Sequence, residues 1–235
     1  MCLILVAYRV DSRFPLIVAA NRDEYFARPT RRAHFWSDYP DIYGGRDLQN
    51  GGTWMGVSRT GRFAAVANWS FSNERDSDYC SRGDLVREFL RANDNSIQFV
   101  NTINPSDYRG CNLIVYDGND LVYWSNHGSA TMSLDPSCHV ITNASFNSRT
   151  TRASLALKKF ELIDKKNDVN VLLALLEPKT PPQDSGCFVF GDTYGTRAST
   201  TLLLGSSTVS FCEQQYGPNA ELGSLASQEI ELIPR

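Results

Sequence analysis

Two apolar runs set the first constraint on what this chain can fold into. Residues 2–10 read CLILVAYRV and residues 15–21 read PLIVAAN, with only Asp11-Ser12-Arg13-Phe14 between them. A connection that short between β-branched runs predicts a hairpin. Pro15 stands where a strand can begin without losing a ladder donor. Neither run alternates cleanly between apolar and polar residues, so both strands are expected to be largely buried.

The hairpin begins with a thiol. If Met1 is removed, Cys2 becomes the N-terminal residue, and its own α-amine lies close enough to take the proton from its sulfur. Free α-amines titrate near ~7.7–8.0 and thiols near ~8.5, so this transfer is nearly balanced at neutral pH, as an N-terminal nucleophile requires. The other reading of Cys2 is a small buried hydrophobe in an ordinary strand. The second run ends in Asn21-Arg22-Asp23-Glu24. Folding the hairpin back brings this polar end beside Cys2. There a carboxylate can hold a protonated amine, and an arginine can stabilise a thiolate or an oxyanion. The same four residues also read as a salt-bridged surface turn.

At 235 residues the chain is long enough for one large domain or two small ones. The 23 basic and 26 acidic residues leave a net charge of −3, which argues against a nucleic-acid partner. The first apolar run stops at Tyr8-Arg9 with no basic segment before it, so neither a signal peptide nor a transmembrane helix is expected. Cys2, Cys80, Cys111, Cys138, Cys187 and Cys212 are scattered, as are His34, His127 and His139. That scatter predicts no structural metal, and the expected lack of an export signal predicts reduced thiols and a cytoplasmic location; no cofactor is expected.

From Arg22 to Gly52 the pattern reads as a long polar and aromatic connection, of a length that is usually functional. Residues 53–58 and 62–68 then predict a hairpin turning at Arg59-Thr60-Gly61. Residues 69–80 read as loop. Ser81, with Asp84 three residues on, predicts a helix through Leu85, Val86, Phe89 and Leu90. A second helical stretch follows around Ile97, Val100 and Ile103. Strands are expected at 111–117, 121–125 and 138–142, and helices at 149–162 and 169–176. Pro178, Pro181 and Pro182 close that section, and strands are again expected at 186–190, 199–204 and 208–212. Clustered strands with segregated helices and no β-α-β alternation predict an α+β fold, read as a single domain over 1–235.

Gly44-Gly45-Arg46-Asp47 and Asn50-Gly51-Gly52 could suggest a phosphate cradle, but no Gly-Lys-Ser/Thr follows them. They are read as turn glycines with positive φ. Phe35, Trp36, Tyr39, Tyr43 and Trp54 cluster around the same stretch. Either they line an apolar ligand pocket or they pack the loop.

Met1-Cys2 opening an apolar strand, followed by Ala19-Ala20-Asn21-Arg22-Asp23-Glu24, resembles the NRDE family, also called the transport and Golgi organization 2 family. Further matches run in order: Arg28-Pro29-Thr30, Gly44-Gly45-Arg46-Asp47-Leu48, Gly51-Gly52-Thr53-Trp54-Met55-Gly56 and Ser81-Arg82-Gly83. Thr142-Asn143-Ala144 and Tyr194-Gly195-Thr196-Arg197-Ala198-Ser199-Thr200 complete the set. The family is similar in layout to cysteine N-terminal nucleophile hydrolases, which cleave amides. The resemblance implies an αββα sandwich, two antiparallel sheets between helical layers. By motif it implies Cys2 as nucleophile and Asp23 holding the amine or the substrate nitrogen. Asn143 and, at the end of its hairpin, Asn68 would donate to the oxyanion, and Arg197 would tune the thiol. Arg22, Trp36 and Trp54 would contact ligand. The hydrolase branch has an arginine three residues before its aspartate, and here that place is Ala20. Arg22 points to the opposite face of a regular strand from Asp23. The expected partner is a small amide or acyl substrate. The alternative is a non-catalytic binding or trafficking protein for haem or acyl-lipid on the same fold.

Overall fold

The computed structural model describes residues 2–69, 79–128, 130–148, 150–164, 167–178 and 187–234. Its first half contains strands β1 (Leu3–Tyr8), β2 (Leu16–Tyr25), β3 (Thr30–Phe35), β4 (Ile42–Asp47), β5 (Met55–Ser58) and β6 (Phe63–Asn68). Helices α1 (Arg82–Arg91) and α2 (Ser96–Thr102) precede β7 (Cys111–Tyr116), β8 (Leu121–Ser125), β9 (Ala130–Ser133) and β10 (Ser137–Ile141). Helices α3 (Thr151–Glu161) and α4 (Val169–Leu176) lead to β11 (Tyr194–Leu204), β12 (Thr208–Tyr216) and β13 (Leu222–Glu231). The chain forms two compact units. The first comprises residues up to Arg28 and Pro136–Glu231; the second comprises Pro29–Asp135 and the segment from Leu232.

The first unit is built on a six-stranded antiparallel sheet in the order β10-β1-β2-β11-β12-β13. The predicted hairpin is present, with Leu3 opposite Asn21 and Tyr8 opposite Leu16. Every residue of β1 is buried. One face of the hairpin supplies Leu3, Leu5, Ala7, Ile17 and Ala19 to a core completed by Ala153, Ala156 and Phe160 of α3 and Leu172 and Leu176 of α4. Thr150 caps α3 by accepting from the Ala153 amide at 3.3 Å, and Asp168 caps α4 by accepting from Asn170 at 2.9 Å. Burying a side chain the size of Phe160 stabilises the unit by roughly 1.5–3 kcal/mol.

Strand β2 does not stop at Asn21. It continues to Tyr25, because β11 pairs with its whole length from Leu204 opposite Leu16 to Tyr194 opposite Tyr25. Asn21-Arg22-Asp23-Glu24 therefore lies within a strand rather than in a surface turn. The segment 186–190, expected as a strand, is not one where it is described. Cys187–Phe190 is irregular and bonds to β11 through Val189 and Thr196. Strand β13 was not expected. It lies at the sheet edge with most residues exposed, so it carries no clean alternation.

The second unit holds a seven-stranded antiparallel sheet, β3 through β9 in sequence order. The stretch read as a connection contains β3 and β4, paired from Thr30 opposite Asp47 to Phe35 opposite Tyr43. Exposed Arg31 and Arg32 on edge strand β3 hide its periodicity. Helix α1 buries Leu85, Val86, Phe89 and Leu90 as predicted, although Ser81 makes no side-chain cap bond. Asn95 and Gln98 form a capping box on α2. Most of the expected 69–80 loop lies outside the described residues, as do Pro181 and Pro182.

The glycines of this unit divide between turns and close backbone approach. Gly51 has φ of +77° and fits the turn reading. Gly44 instead lies inside β4, where a Cβ would sit 2.6 Å from the Met55 carbonyl oxygen. A Cβ on Gly52 would sit 2.5 Å from the carbonyl carbon of Gly83, and the Thr53 amide donates to the Gly83 oxygen at 3.3 Å. Two of the family-like motifs thus meet backbone to backbone. Among the described residues, no helix is long and apolar enough to cross a membrane.

Candidate active site

Strand geometry sorts the polar residues of β2. Asn21 and Asp23, two apart, share one face, and Arg22 takes the other. All three are buried. Buried polar groups need partners, and β11 supplies them. The Thr196 hydroxyl donates to Asp23 Oδ1 at 2.6 Å, and the Ser199 hydroxyl donates to Asn21 Oδ1 at 2.6 Å. Thr196 and Ser199 are three apart, yet both reach this face. A bulge makes this possible: Thr196 pairs with Asp23 and Ala198 with Arg22, leaving Arg197 as the extra residue. Asn21 Nδ2 donates to the carbonyls of Leu176 at 3.1 Å and Cys187 at 2.6 Å, tying the end of α4 and the irregular segment to the sheet.

The second oxygen of Asp23 meets a cation. Arg152, on the first turns of α3, places Nη1 3.1 Å from Asp23 Oδ2 and donates from Nη2 to the Cys187 carbonyl at 2.8 Å. The Asp23 side chain is 0% exposed and that of Arg152 20%. On the other face, Arg22 lies 3.8 Å from Glu24.

Cys2 stands one residue before β1. Carried on by one residue, the β1–β2 register sets it level with Arg22. The β1–β10 register, with Ile4 opposite Ile141, sets it level with buried Asn143 when carried on by two. Its Sγ approaches the Asp23 carbonyl oxygen at 3.8 Å, and the Tyr194 hydroxyl donates to that same oxygen at 3.3 Å. Burial pushes the Cys2 thiol up and the nearby Asp23 charge adds to this, while Arg22 pulls it back in part. Burial likewise pushes the Tyr194 phenol up. Both are therefore neutral donors at neutral pH. With Met1 attached, the Cys2 nitrogen is an amide and has no lone pair to act as base. Removing Met1 would turn it into an amine within the same polar cluster.

The other sequence candidates are Arg197, in the first unit, and Asn68, Trp36 and Trp54, in the second. Arg197 directs its guanidinium to the carbonyls of Tyr25, at 3.3 Å, and Arg28, and lies over Phe26. The arginine on Asp23 is instead Arg152. Asn68 ends β6 in the second unit, opposite Cys111. Trp36 is buried in the core of that unit, with Nε1 donating to the Gly44 carbonyl at 3.1 Å and Arg46 stacked 4.2 Å over its ring. Trp54 is half-buried just before β5, and its carbonyl accepts from Val66 at 2.8 Å. Trp36 therefore packs a core rather than lining an opening. Arg152, Thr196, Ser199 and Tyr194 were not singled out in the sequence. Three of them lie inside the Tyr194–Thr200 motif. Arg152 has no local signal, since it is 129 residues from its partner. Among the described residues, no group of three or more His, Cys, Asp and Glu side chains is arranged to hold a metal ion.

Solved structures share this architecture. A Caenorhabditis elegans N-acylethanolamine-hydrolyzing acid amidase ortholog matches 87% of this chain and 93% of its own, with a TM-score of 0.52 and 15% identity. The C2A mutant of conjugated bile acid hydrolase from Clostridium perfringens matches 98% and 92%, with a TM-score of 0.52 and 9% identity. At these identities the likeness shows the fold alone, an α+β architecture of two antiparallel sheets and their helices. Among sequences, the mouse transport and Golgi organization 2 homolog is 28% identical over 91% of this chain and 92% of its own length. The human homolog is 33% identical over 61% of this chain and 57% of its own. A sequence profile for Transport and Golgi organisation 2 matches residues 1–218, and the chain belongs to that family.

Proposed function

We propose that this protein carries an N-terminal cysteine amidohydrolase site for a small amide or acyl substrate, formed when Met1 is removed. The observation that carries the reading is the thiol of Cys2 at the head of β1, 3.8 Å from the carbonyl oxygen of a residue whose carboxylate is itself fixed by two donors. In this reading the Cys2 amine takes the thiol proton, and the sulfur adds to the substrate carbonyl carbon. The oxyanion so formed accepts from Asn143. Collapse breaks the C–N bond, the α-ammonium gives its proton to the leaving nitrogen, and water then hydrolyses the thioester. Asp23 holds the ammonium while it carries the extra proton. The six described cysteines are free thiols, which fits a reducing compartment such as the cytoplasm.

The test is direct. Intact mass and N-terminal sequencing establish whether Met1 is removed, and retention in the mature protein defeats the mechanism. Cys2→Ala is then compared with wild type against a panel of acyl amides and a cysteine-reactive probe. Unchanged labelling in the variant shows that Cys2 is not the reactive thiol. One observation favours a second reading, a binding protein for haem or acyl-lipid without chemistry: burial and Asp23 push the thiol up, away from the reactive form. Titration with haem and acyl-CoA that gives no spectral or thermal shift counts against it.

A further inference from the structure

Asp23 presents a charge-balance problem. Its carboxylate is fully buried, and a buried carboxylate without a partner is costly. Placed alone beside an N-terminal amine and thiol, it would hold the amine protonated and resist formation of the thiolate. An opposite charge within ~4–6 Å moves a titration by ~1–3 units, and a like charge moves it the other way. The groups around Cys2 are Asp23 and Arg22 from β2, with Glu24 beyond Arg22, and Tyr194 from β11. Arg22 is engaged with Glu24 on the opposite face from the Asp23 side chain, so it does not orient that carboxylate. Arg152, arriving from α3, does. Its fork spans two acceptors, Asp23 Oδ2 and the Cys187 carbonyl, which fixes the guanidinium plane. Thr196 fixes the other carboxylate oxygen.

We propose that Arg152 is the positioning residue of this site: it orients the Asp23 carboxylate, offsets its charge, and so sets the pH at which the Cys2 thiol and amine react. The inference rests on the reading of Cys2 as an N-terminal thiol. Arg152 touches no reacting atom and acts through Asp23. Its place on a helix far along the chain makes the reactivity of residue 2 depend on the docking of α3.

The experiment uses the full chain with Met1 removed by methionine aminopeptidase. Iodoacetamide alkylation of Cys2, read by mass spectrometry of the N-terminal peptide, is followed from about pH 5 to about pH 10. Arg152→Gln moves the alkylation midpoint up by about one unit, which is roughly tenfold slower labelling at neutral pH. Arg152→Lys, which keeps the charge and loses the fork, moves it in the same direction by less. In an Asp23→Asn background, Arg152→Gln moves the midpoint markedly less than in wild type. Thermal melts establish that each variant is folded, and if Arg152→Gln is not, the Arg152→Lys comparison carries the test. An unmoved midpoint in a folded variant, or equal shifts with and without Asp23, reduces Arg152 to a clip between α3 and β2. The two readings fail separately. A midpoint that follows Arg152 without turnover of any acyl amide sinks the hydrolase and keeps the positioning role. Turnover with a midpoint indifferent to Arg152 does the reverse. A Cys2 that alkylates at no pH overturns both.

Discussion

The two units spend their buried polar groups differently. In the second unit the buried charged groups go chiefly to backbone, although Tyr123 donates to the buried Asn112 side chain at 2.7 Å. Buried Arg62 donates to the carbonyls of Phe89 at 2.9 Å and Asp94 at 2.8 Å, closing the end of α1. Asp117 accepts from the amides of Ser96, Asn119 and Asp120 and so holds the start of α2 against β7. Burial pushes that carboxyl up, and the backbone donors outweigh it and hold it below its usual range. In the first unit, side chains answer side chains: Thr196 and Arg152 on Asp23, and Ser199 on Asn21. A polar group bonded to backbone fixes an element. A carboxylate held between a hydroxyl and a guanidinium beside a thiol has a charge that chemistry can use. The same division separates the motifs. The glycine-rich ones meet at backbone, while the Asn21–Glu24 and Tyr194–Thr200 stretches meet through side chains.

Substitutions can break this contrast. The largest effect is expected at Gly52, where a new Cβ meets backbone that has no flexible end to move. Gly52→Val should cost at least about 3 kcal/mol in urea unfolding and leave Cys2 alkylation in the folded protein unchanged. A changed labelling rate would show that the glycine motif also serves the thiol. Thr196→Val should cost about 1–3 kcal/mol, because one oxygen of a buried carboxylate loses its donor, and it should also shift the pH dependence of Cys2 labelling. Thr196→Ser should restore both, and a failure to do so would mean the threonine acts by packing.

A pH experiment sharpens the contrast between thiols. Burial pushes the Cys111 thiol up to about 12, with Arg82 pulling only weakly against it. The unfolded chain gives up this proton near pH 9 and the folded chain does not, so the unfolded state gains stability as pH rises. The contribution is intact below about pH 9 and is lost progressively up to about pH 12, with about 1.4 kcal/mol gone by about pH 10. Cys111→Val should flatten that part of the stability profile, and native Cys111 should resist alkylation at neutral pH where trimmed Cys2 does not. Unchanged curvature in the variant would remove Cys111 as the cause. The smallest effect belongs to the surface. Arg46 donates to both oxygens of Asp38, which holds that carboxyl below its usual range, but Asp38 is largely open to solvent. Asp38→Asn should change stability by less than about 1 kcal/mol, and less still in about 1 M salt.

How legible each part was follows from its surroundings. Strands buried on both sides, such as β1, show as unbroken apolar runs. The helices show through Asp84, Pro105 and the leucine spacing of 169–176. What hid were three edge strands, β3, β9 and β13, where one side pairs and the other meets water, the glycine-bearing interior strand β4, and the polar half of β2, whose partners lie on a strand far along the chain. At the site, Cys2 and Asp23 could be named from sequence because one hairpin brings them together. Arg152 could not, because an arginine on the first turn of an amphipathic helix looks the same whether it faces water or a buried carboxylate.

The extra residue in β11 has a consequence for how this site tolerates change. Arg197 works as a phase shift of one residue: upstream of it the strand's odd and even positions trade faces. Deleting that single residue would close the bulge and leave Thr196 opposite Asp23 and Ser199 opposite Asn21, two apart on one face of a regular strand. What the deletion would remove is the guanidinium on the Tyr25 and Arg28 carbonyls, so the extra residue serves the far end of β2 while the residues on either side of it keep their facing to Asn21 and Asp23.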